Sequence, residues 1–169
     1  MRYPLAEIPA DIAADLAARG GTPFNLYKVL ANAPKMLAAW IPFAWTLRAE
    51  CRTPRVLREL MILRTAQLQS SAYEWHQHRI MARNAGVSEA QVAELAMWRA
   101  SADFDPKEKA ALGFTEAIVR GEVDDATHAA LAQHFDREEC LELTVTAAFY
   151  CMVARVLSAI AVTADGEKS

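Results

Sequence analysis

Length, composition and charge already limit what this protein can be. The chain has 169 residues, of which 53% are hydrophobic and 23% are charged, and its formal net charge at pH 7 is −3. A chain of this length and hydrophobic content is expected to fold as one domain and not to be mainly disordered. Because its basic residues are scattered, it lacks the positive surface that holds a phosphate backbone, and we expect no nucleic-acid partner.

The composition predicts an all-α fold. Alanine, which has the best helix propensity, occurs 34 times, whereas valine and isoleucine, which favour strands, together occur 17 times. Prolines, glycines and capping residues divide the chain into eight or nine helices with short connections. The predicted helices cover residues 8–19, 25–32, 35–50 with a kink or break at Pro42, 55–69, 72–84, 89–99, 107–120, 126–135 and 137–162.

Two patterns bear on where the protein resides. The most apolar stretch, residues 143–164, carries Arg155 just past its middle. Such a charge is costly in a bilayer but ordinary in a core helix, so we expect no membrane partner. The three cysteines, Cys51, Cys140 and Cys151, form neither a Cys-x-x-Cys pair nor an even-numbered disulfide framework. A reducing cytoplasm is therefore expected.

Four polar side chains are predicted to meet near one turn. Ser71, Glu74 and His78 have the spacing i, i+3, i+7 and share one helix face, and Glu59 lies on the preceding helix. If the two helices run antiparallel about a turn near residue 70, Glu59 lies roughly 16 Å along one axis and His78 roughly 12 Å along the other. Two carboxylates and an imidazole brought together in this way can transfer protons, because burial tunes a carboxyl pKa towards neutrality.

The same residues also have structural interpretations. Ser71 and Glu74 match a capping box, in which the serine oxygen and the glutamate each satisfy a free backbone N–H. Glu59 is flanked by Arg55 and Arg58, a pattern that is typical of a solvated ion pair. A metal site is not expected, since His76 and His78 lie about 200° apart around a helix and cannot bind one ion together.

Three sequence motifs carry a resemblance to a known family. Residues 57–95 contain RELMILR, then YEWHQH and then AGVS, and resemble the core of the superfamily of carboxymuconolactone decarboxylases and alkylhydroperoxidase-D proteins. The lead-in at 23–50 and the later segments FDPKEKAALGFTEAIV and ECLELTVTAAFYCMVARVLSAI also resemble its members. The resemblance implies an alkylhydroperoxidase-D-like helical domain over residues 1–169, with the family core at about 35–120.

The resemblance also indicates which branch of chemistry to expect. Members of the peroxidase branch carry Cys-x-x-Cys-x-x-x-His with a Glu twelve residues before the first cysteine; here Glu59 and His78 match, but Ser71 and Glu74 occupy the cysteine positions. A serine cannot supply the attacking thiolate, nor a glutamate resolve a sulfenic acid, so we expect no thiol peroxidase activity of the family's kind. The decarboxylase branch shares a Glu-x-x-x-His pair, which Glu74 and His78 match.

Together with the Glu and His residues, the resemblance implies a cofactor-free lyase that decarboxylates a small carboxylated lactone or a related intermediate of aromatic-compound catabolism. His78 is the expected proton donor, Glu74 orients or reprotonates it, and Glu59 supports the far side of the relay. Tyr73 is expected to donate to the developing oxyanion and Arg79 to pair with the substrate carboxylate. The substrate-binding set is completed by Ser71 and Trp75.

Neither a cofactor nor a metal is expected, and the resemblance implies a homo-trimer or homo-hexamer. The apolar circumference of the last helix also favours an oligomer, because such a helix must be covered on all sides. Two alternatives stay open: an alkylhydroperoxidase-like antioxidant protein, which the missing cysteine pair disfavours, and a non-catalytic oligomeric helical binding protein.

Overall fold

The computed structural model describes residues 1–165, and within them it contains helices and no β-strand. The all-α prediction is confirmed. The helices are α1 (Ala10–Ala18), α2 (Asn25–Leu30), α3 (Pro34–Trp45), α4 (Arg55–Leu68), α5 (Ala72–Ala85), α6 (Glu89–Glu94), α7 (Pro106–Arg120), α8 (Asp125–Ala132) and α9 (Arg137–Ile160), with a π-helical turn at Thr46–Glu50 and a 3-10 turn at Leu95–Met97.

Most predicted helix boundaries agree with the structure to within three residues, and two segments differ in the type of helix. Residues 35–50 were expected to form a helix with a kink or break at Pro42, but α3 continues through Pro42 to Trp45 and is then followed by the π-helical turn. Proline removes a backbone donor from the helical ladder, which favours such a local change of pitch. Residues 89–99 likewise form a short α-helix that tightens into a 3-10 turn after Glu94.

The chain forms two compact units, one made of Met1–Glu50 with the segment from Val156 onward and the other of Cys51–Arg155. In the first unit, hydrogen bonds join the two ends of the chain. The Arg2 backbone N–H donates to the Ile160 carbonyl at 3.0 Å, and the Asn25 backbone N–H donates to the Asp165 carboxylate at 2.7 Å.

The second unit contains α4 to α8 and most of α9, and α4 packs on two sides. On one side it contributes Leu57 and Met61, and on the other Leu60 and Leu63, as expected from helical periodicity. The partners on the first side are Ala111, Phe114, Leu131, Phe135, Cys140, Leu143 and Ala147, and those on the second are Ala82, Val87, Leu95, Trp98, Phe104 and Leu112. A helix covered on both sides is held rigidly, which fixes the polar side chains that it carries.

Helix α9 is the one helix within residues 1–165 that is long and apolar enough to cross a membrane, judged by length and composition alone. Core helices of soluble proteins meet the same criterion. Cys140, Leu143 and Ala147 of α9 lie in the first hydrophobic cluster of the second unit. This part of α9 is therefore packed in the core of the second unit.

A buried carboxylate on α7 ties the second unit together. Glu116, whose side chain is 4% exposed, accepts hydrogen bonds from Trp98 Nε1 at 2.9 Å, Arg99 at 2.7 Å and Arg64 at 2.6 Å. Burial alone would raise its pKa, but these donors outweigh burial and lower the pKa to about 2. The ionised form is thus strongly favoured in the folded state.

This lowered pKa predicts a loss of stability in acid. Because the folded pKa is below the ordinary value of 4.5, the stabilisation is complete above pH 4.5 and disappears as the pH falls towards 2, a change of about 3 kcal/mol in unfolding free energy. Glu116→Ala is expected to cost about 3–5 kcal/mol in urea denaturation at pH 7, because it leaves Arg64, whose side chain is 13% exposed, without its carboxylate. Glu122→Ala is the control, since Glu122 is 72% exposed. Equal losses in the two variants would refute the buried-network interpretation.

Candidate acid–base site

The site is built on the hairpin of α4 and α5. Helix α4 ends at Leu68, Ser70 adopts a positive φ of 53°, and the Ser71 N–H donates back to the Ala66 carbonyl at 2.9 Å. This tight turn reverses the chain, so the two helices run antiparallel. Glu59 and His78 meet across them, with His78 Nδ1 2.8 Å from Glu59 Oε2. The predicted proximity of these two residues is confirmed.

Glu59 is an ionised carboxylate inside the protein. Its side chain is 0% exposed, and its second oxygen accepts a hydrogen bond from Arg55, one turn earlier on α4. Burial would raise the pKa of Glu59, but His78 and Arg55 outweigh burial and hold it below its ordinary value. The interpretation of Glu59 as a solvated ion pair is therefore wrong, because no part of the carboxylate meets solvent.

The His78 ring is held from two directions. Its Nδ1 faces the Glu59 carboxylate, which fixes that nitrogen as the protonated one and leaves Nε2 to exchange protons. The ring of Tyr150, on α9, meets the His78 ring edge to face, with 4.9 Å between centroids and 88° between planes. A side chain held by a hydrogen bond and an aromatic contact cannot swing away from its position, which is the preorganisation that proton transfer requires.

Glu74 lies one turn before His78 on the same face of α5. Its protonation state is the opposite of that of the ionised Glu59 carboxylate. It is 2% exposed, and neither carboxyl oxygen has a hydrogen-bond partner of normal geometry among the described residues. Burial raises its pKa to about 8, although the nearby Ser71 hydroxyl lowers it slightly. Glu74 is therefore mostly a neutral carboxylic acid at pH 7.

The capping-box interpretation of Ser71 and Glu74 is wrong. Ser71 is the N-cap residue of α5, but its side chain accepts no capping hydrogen bond. The pattern does form a capping box at Ser88 and Gln91, where the Gln91 N–H donates to Ser88 Oγ at 3.0 Å and the Ser88 N–H donates to Gln91 Oε1 at 3.2 Å. Glu74 is buried for a reason other than helix capping.

A pair of matched variants tests this difference. Ser88→Ala is expected to lower the unfolding free energy by about 1 kcal/mol, because it removes a capping hydrogen bond. Ser71→Ala is expected to cost less than half as much, since no such bond exists there. Urea denaturation of both variants against the unmodified chain gives the comparison. A larger loss at Ser71 would restore the capping role.

The predicted substrate-binding residues lie on α5 or at its start, and the structure does not test their roles. Ser71 and Tyr73 are half-buried, and Trp75 packs against the hydrophobic cluster that contains Leu60. Arg79 is 57% exposed and pairs with Glu89 at 3.5 Å. Substrate binding by these residues stays a prediction.

Sequence reasoning missed two members of the site. Arg55 was interpreted only as part of a solvated ion pair with Glu59, although the i, i+4 spacing of the two residues indicates a direct contact on one helix face. No sequence signal joined Tyr150 to His78, because the contact depends on how α9 packs beside α5. Within residues 1–165, no three or more His, Cys, Asp or Glu side chains are grouped so as to hold a metal ion.

The comparisons agree with this architecture. Residues 34–117 match the carboxymuconolactone decarboxylase family. The structure is similar to that of the alkylhydroperoxidase AhpD core, an uncharacterized peroxidase-related protein from Ralstonia eutropha JMP134, with a TM-score of 0.83 and 22% identity over 98% of this chain and 92% of that one. The chain belongs to the carboxymuconolactone decarboxylase and alkylhydroperoxidase-D superfamily.

Two relatives are similar in sequence. The uncharacterized protein YnjA of Escherichia coli K12 is 29% identical over 149 residues, which are 87% of this chain and 76% of YnjA. The uncharacterized protein YdfG of Bacillus subtilis 168 is 30% identical over 94 residues, which are 54% of this chain and 64% of YdfG. The match with YdfG thus spans less than two thirds of that protein's length.

Proposed function

We propose that this protein is a cofactor-free acid–base lyase that decarboxylates a small carboxylated, unsaturated lactone. One observation supports the proposal above the others: the buried, ionised Glu59 carboxylate contacts His78 Nδ1, and a buried neutral acid, Glu74, stands one helical turn from His78. Environments that push the pKa values of two carboxyl groups in opposite directions are a mark of acid–base sites. The family match supports the same class of chemistry.

In the proposed reaction, the carbon–carbon bond to the substrate carboxylate breaks and CO₂ leaves. The bonding pair enters the conjugated system and produces a dienolate, which must then receive a proton at carbon. His78 delivers this proton from Nε2, while Glu59 holds the ring through Nδ1. Neutral Glu74 then supplies the replacement proton to His78 and takes up a proton from water once the product has left. General acid catalysis of this kind contributes roughly 10²–10⁴-fold to a rate.

The same proposal assigns substrate contacts and assembly. Tyr73 donates a hydrogen bond to the dienolate oxygen, Arg79 approaches the substrate carboxylate from the surface, and Ser71 and Trp75 complete the binding surface. Assembly, as the homo-trimer or homo-hexamer that the family resemblance implies, is supported by the exposed apolar side chains of α9, of which Leu141 is 63% and Met152 is 42% exposed. The proposed compartment is the cytoplasm, because the cysteines form no disulfide framework. Light scattering tests the assembly.

A parallel assay tests the proposed reaction against the alternatives. The purified chain is incubated with carboxylated unsaturated lactones while CO₂ release is measured, and separately with alkyl hydroperoxides and a dithiol reductant. We expect CO₂ release from at least one lactone and no sustained hydroperoxide reduction. Hydroperoxide turnover without CO₂ release would assign the antioxidant class, and inertness in both assays would assign the binding-protein class; either result would overturn the proposal.

A further inference from the structure

Helix α9 carries a second regular surface besides the one that packs in the core. Its core side includes Cys140, Leu143 and Ala147, which lie in the first hydrophobic cluster of the second unit. On another side of the helix, six residues follow the alternating spacing of three and four that is typical of helices packed along one another. We call these residues the outer seam, and they are Glu138, Leu141, Val145, Ala148, Met152 and Arg155.

The rest of the chain leaves most of the outer seam open. Leu141 is 63% exposed and Met152 is 42% exposed. Ala148 and Arg155 are exposed as well, and Val145 is half-buried. A row of exposed apolar side chains on one face of a helix indicates an interaction surface, because monomeric proteins rarely leave such rows in water.

The two ends of the outer seam carry opposite charges. Glu138, whose side chain is 63% exposed, stands at the N-terminal end of the seam, and the exposed Arg155 stands at the C-terminal end. Because a helix rises 1.5 Å per residue, the two charges lie about 26 Å apart along the axis. They are too far apart to pair within one chain, but they match the ends of a helix that runs in the opposite direction.

An antiparallel copy of α9 matches the outer seam in every layer. Once the charged ends are placed opposite each other, the four apolar positions also fall into register, and every layer occurs twice by symmetry. The end layers join an acid with a base, the next layers join two long apolar side chains, and the central layers join a branched side chain with a small one. The layers are Glu138 with the partner's Arg155, Leu141 with the partner's Met152, and Val145 with the partner's Ala148.

A parallel copy of α9 does not match the outer seam. In that orientation Glu138 faces the partner's Glu138 and Arg155 faces the partner's Arg155, and like charges across an interface oppose association. Antiparallel helices also place the positive N-terminal end of one helix dipole beside the negative C-terminal end of the other. The residues of the outer seam therefore favour one orientation and one register.

We propose that the outer seam is the contact between two copies of this chain, whose α9 helices lie antiparallel about a two-fold axis. Such an interface is isologous, because the same residues of both copies form it. Of the assemblies proposed above, a trimer has no two-fold axis, whereas a hexamer of two facing trimers has such axes between its halves. The proposal thus selects the hexamer; it rests on the proposed assembly and is independent of the proposed decarboxylation.

Ala148→Glu tests the interface, with Ala129→Glu as the matched control. Both alanines are exposed on helices, but Ala148 lies in the middle of the outer seam and Ala129 lies on α8. Sedimentation velocity from about 1 to about 200 µM measures the mass of each particle. We expect Ala148→Glu to halve the mass, which in a hexamer gives trimers, and Ala129→Glu to leave it unchanged. Circular dichroism confirms that both variants are folded.

The same series separates failure of this proposal from failure of the proposed function. An oligomer that is unchanged in Ala148→Glu would overturn the outer-seam interface but keep an assembly. An unmodified chain that stays at 18.7 kDa at every concentration would overturn both, and would leave the outer seam to a different partner. Release of CO₂ from a lactone is measured separately and reports on the decarboxylation alone.

Charge reversal tests the antiparallel register. Glu138→Arg and Arg155→Glu each place like charges opposite each other in both end layers, so each is expected to weaken association by roughly tenfold. The double variant restores opposite charges and should associate as the unmodified chain does. Glu138 also pairs with Arg52 of its own chain at 2.6 Å, but a change at Arg155 cannot repair that contact, so recovery is specific to the proposed pairing. A double variant that associates no better than the single ones would overturn this register.

Discussion

His78→Gln is expected to lower lactone decarboxylation by roughly 10²–10⁴-fold, because it removes the group that delivers the proton to the dienolate. Glu59→Gln should lower turnover as well, since a neutral amide holds the ring without the charge that fixes Nδ1–H. His76→Gln is the matched control: His76 lies two residues away on α5 but is exposed. Steady-state CO₂ release from the three variants, with circular dichroism to confirm folding, gives the comparison.

The double variant decides whether Glu59 and His78 act as one unit. Residues that act together lose little more as a pair than either loses alone. We therefore expect the Glu59→Gln, His78→Gln double variant to be close to the His78→Gln variant in kcat. Losses that multiply, or a fall in Tm that accounts for the lost activity, would return both residues to a structural role.

Glu74→Gln is expected to stabilise the protein increasingly as the pH rises. Glu74 has a folded pKa of about 8 against an ordinary value of 4.5. Below pH 4.5 the carboxyl is protonated in both the folded and the unfolded state, so it does not change the free energy of unfolding. Between pH 4.5 and pH 8 unfolding releases the proton, and the free energy of unfolding falls by about 1.4 kcal/mol per pH unit. Glutamine carries no such proton, so the advantage of the variant should grow by several kcal/mol between about pH 5 and pH 8.

Urea denaturation at about pH 5, 6.5 and 8 measures this trend, with Glu94→Gln as the control for loss of an exposed carboxylate. A stabilised variant with impaired turnover would show that Glu74 is kept for activity at a cost in stability. A constant difference between Glu74→Gln and the unmodified chain across the pH range would mean that Glu74 has an ordinary pKa.

Much of the fold was predictable because local signals decide helix ends. Pro106 at a helix start and the Ser88 capping pair specify boundaries within a few residues. The proximity of Glu59 and His78 could be predicted from the rise per residue of a helix and from one turn near residue 70, because the two residues lie on consecutive helices. The π-helical turn after Trp45 was missed because no sequence rule distinguishes it from a continued α-helix.

The electrostatic state of the site was not predictable from spacing. Ser71-x-x-Glu74 and Ser88-x-x-Gln91 have the same pattern, yet only the second forms a capping box. The difference depends on burial of Glu74, which sequence periodicity does not measure. The contact of Tyr150 with His78 depends on the packing of α9 against the hairpin, which involves residues far apart in the chain.

The most direct test of this account is a titration of the Glu74 carboxyl group. Side-chain carboxyl carbons are followed by ¹³C NMR from about pH 3 to pH 10, and the Glu74 resonance is assigned by its absence in Glu74→Gln. We expect the Glu74 carboxyl to titrate near pH 8, in line with its burial. A Glu74 resonance that titrates near 4.5 would contradict the neutral acid on which the proposed proton relay depends.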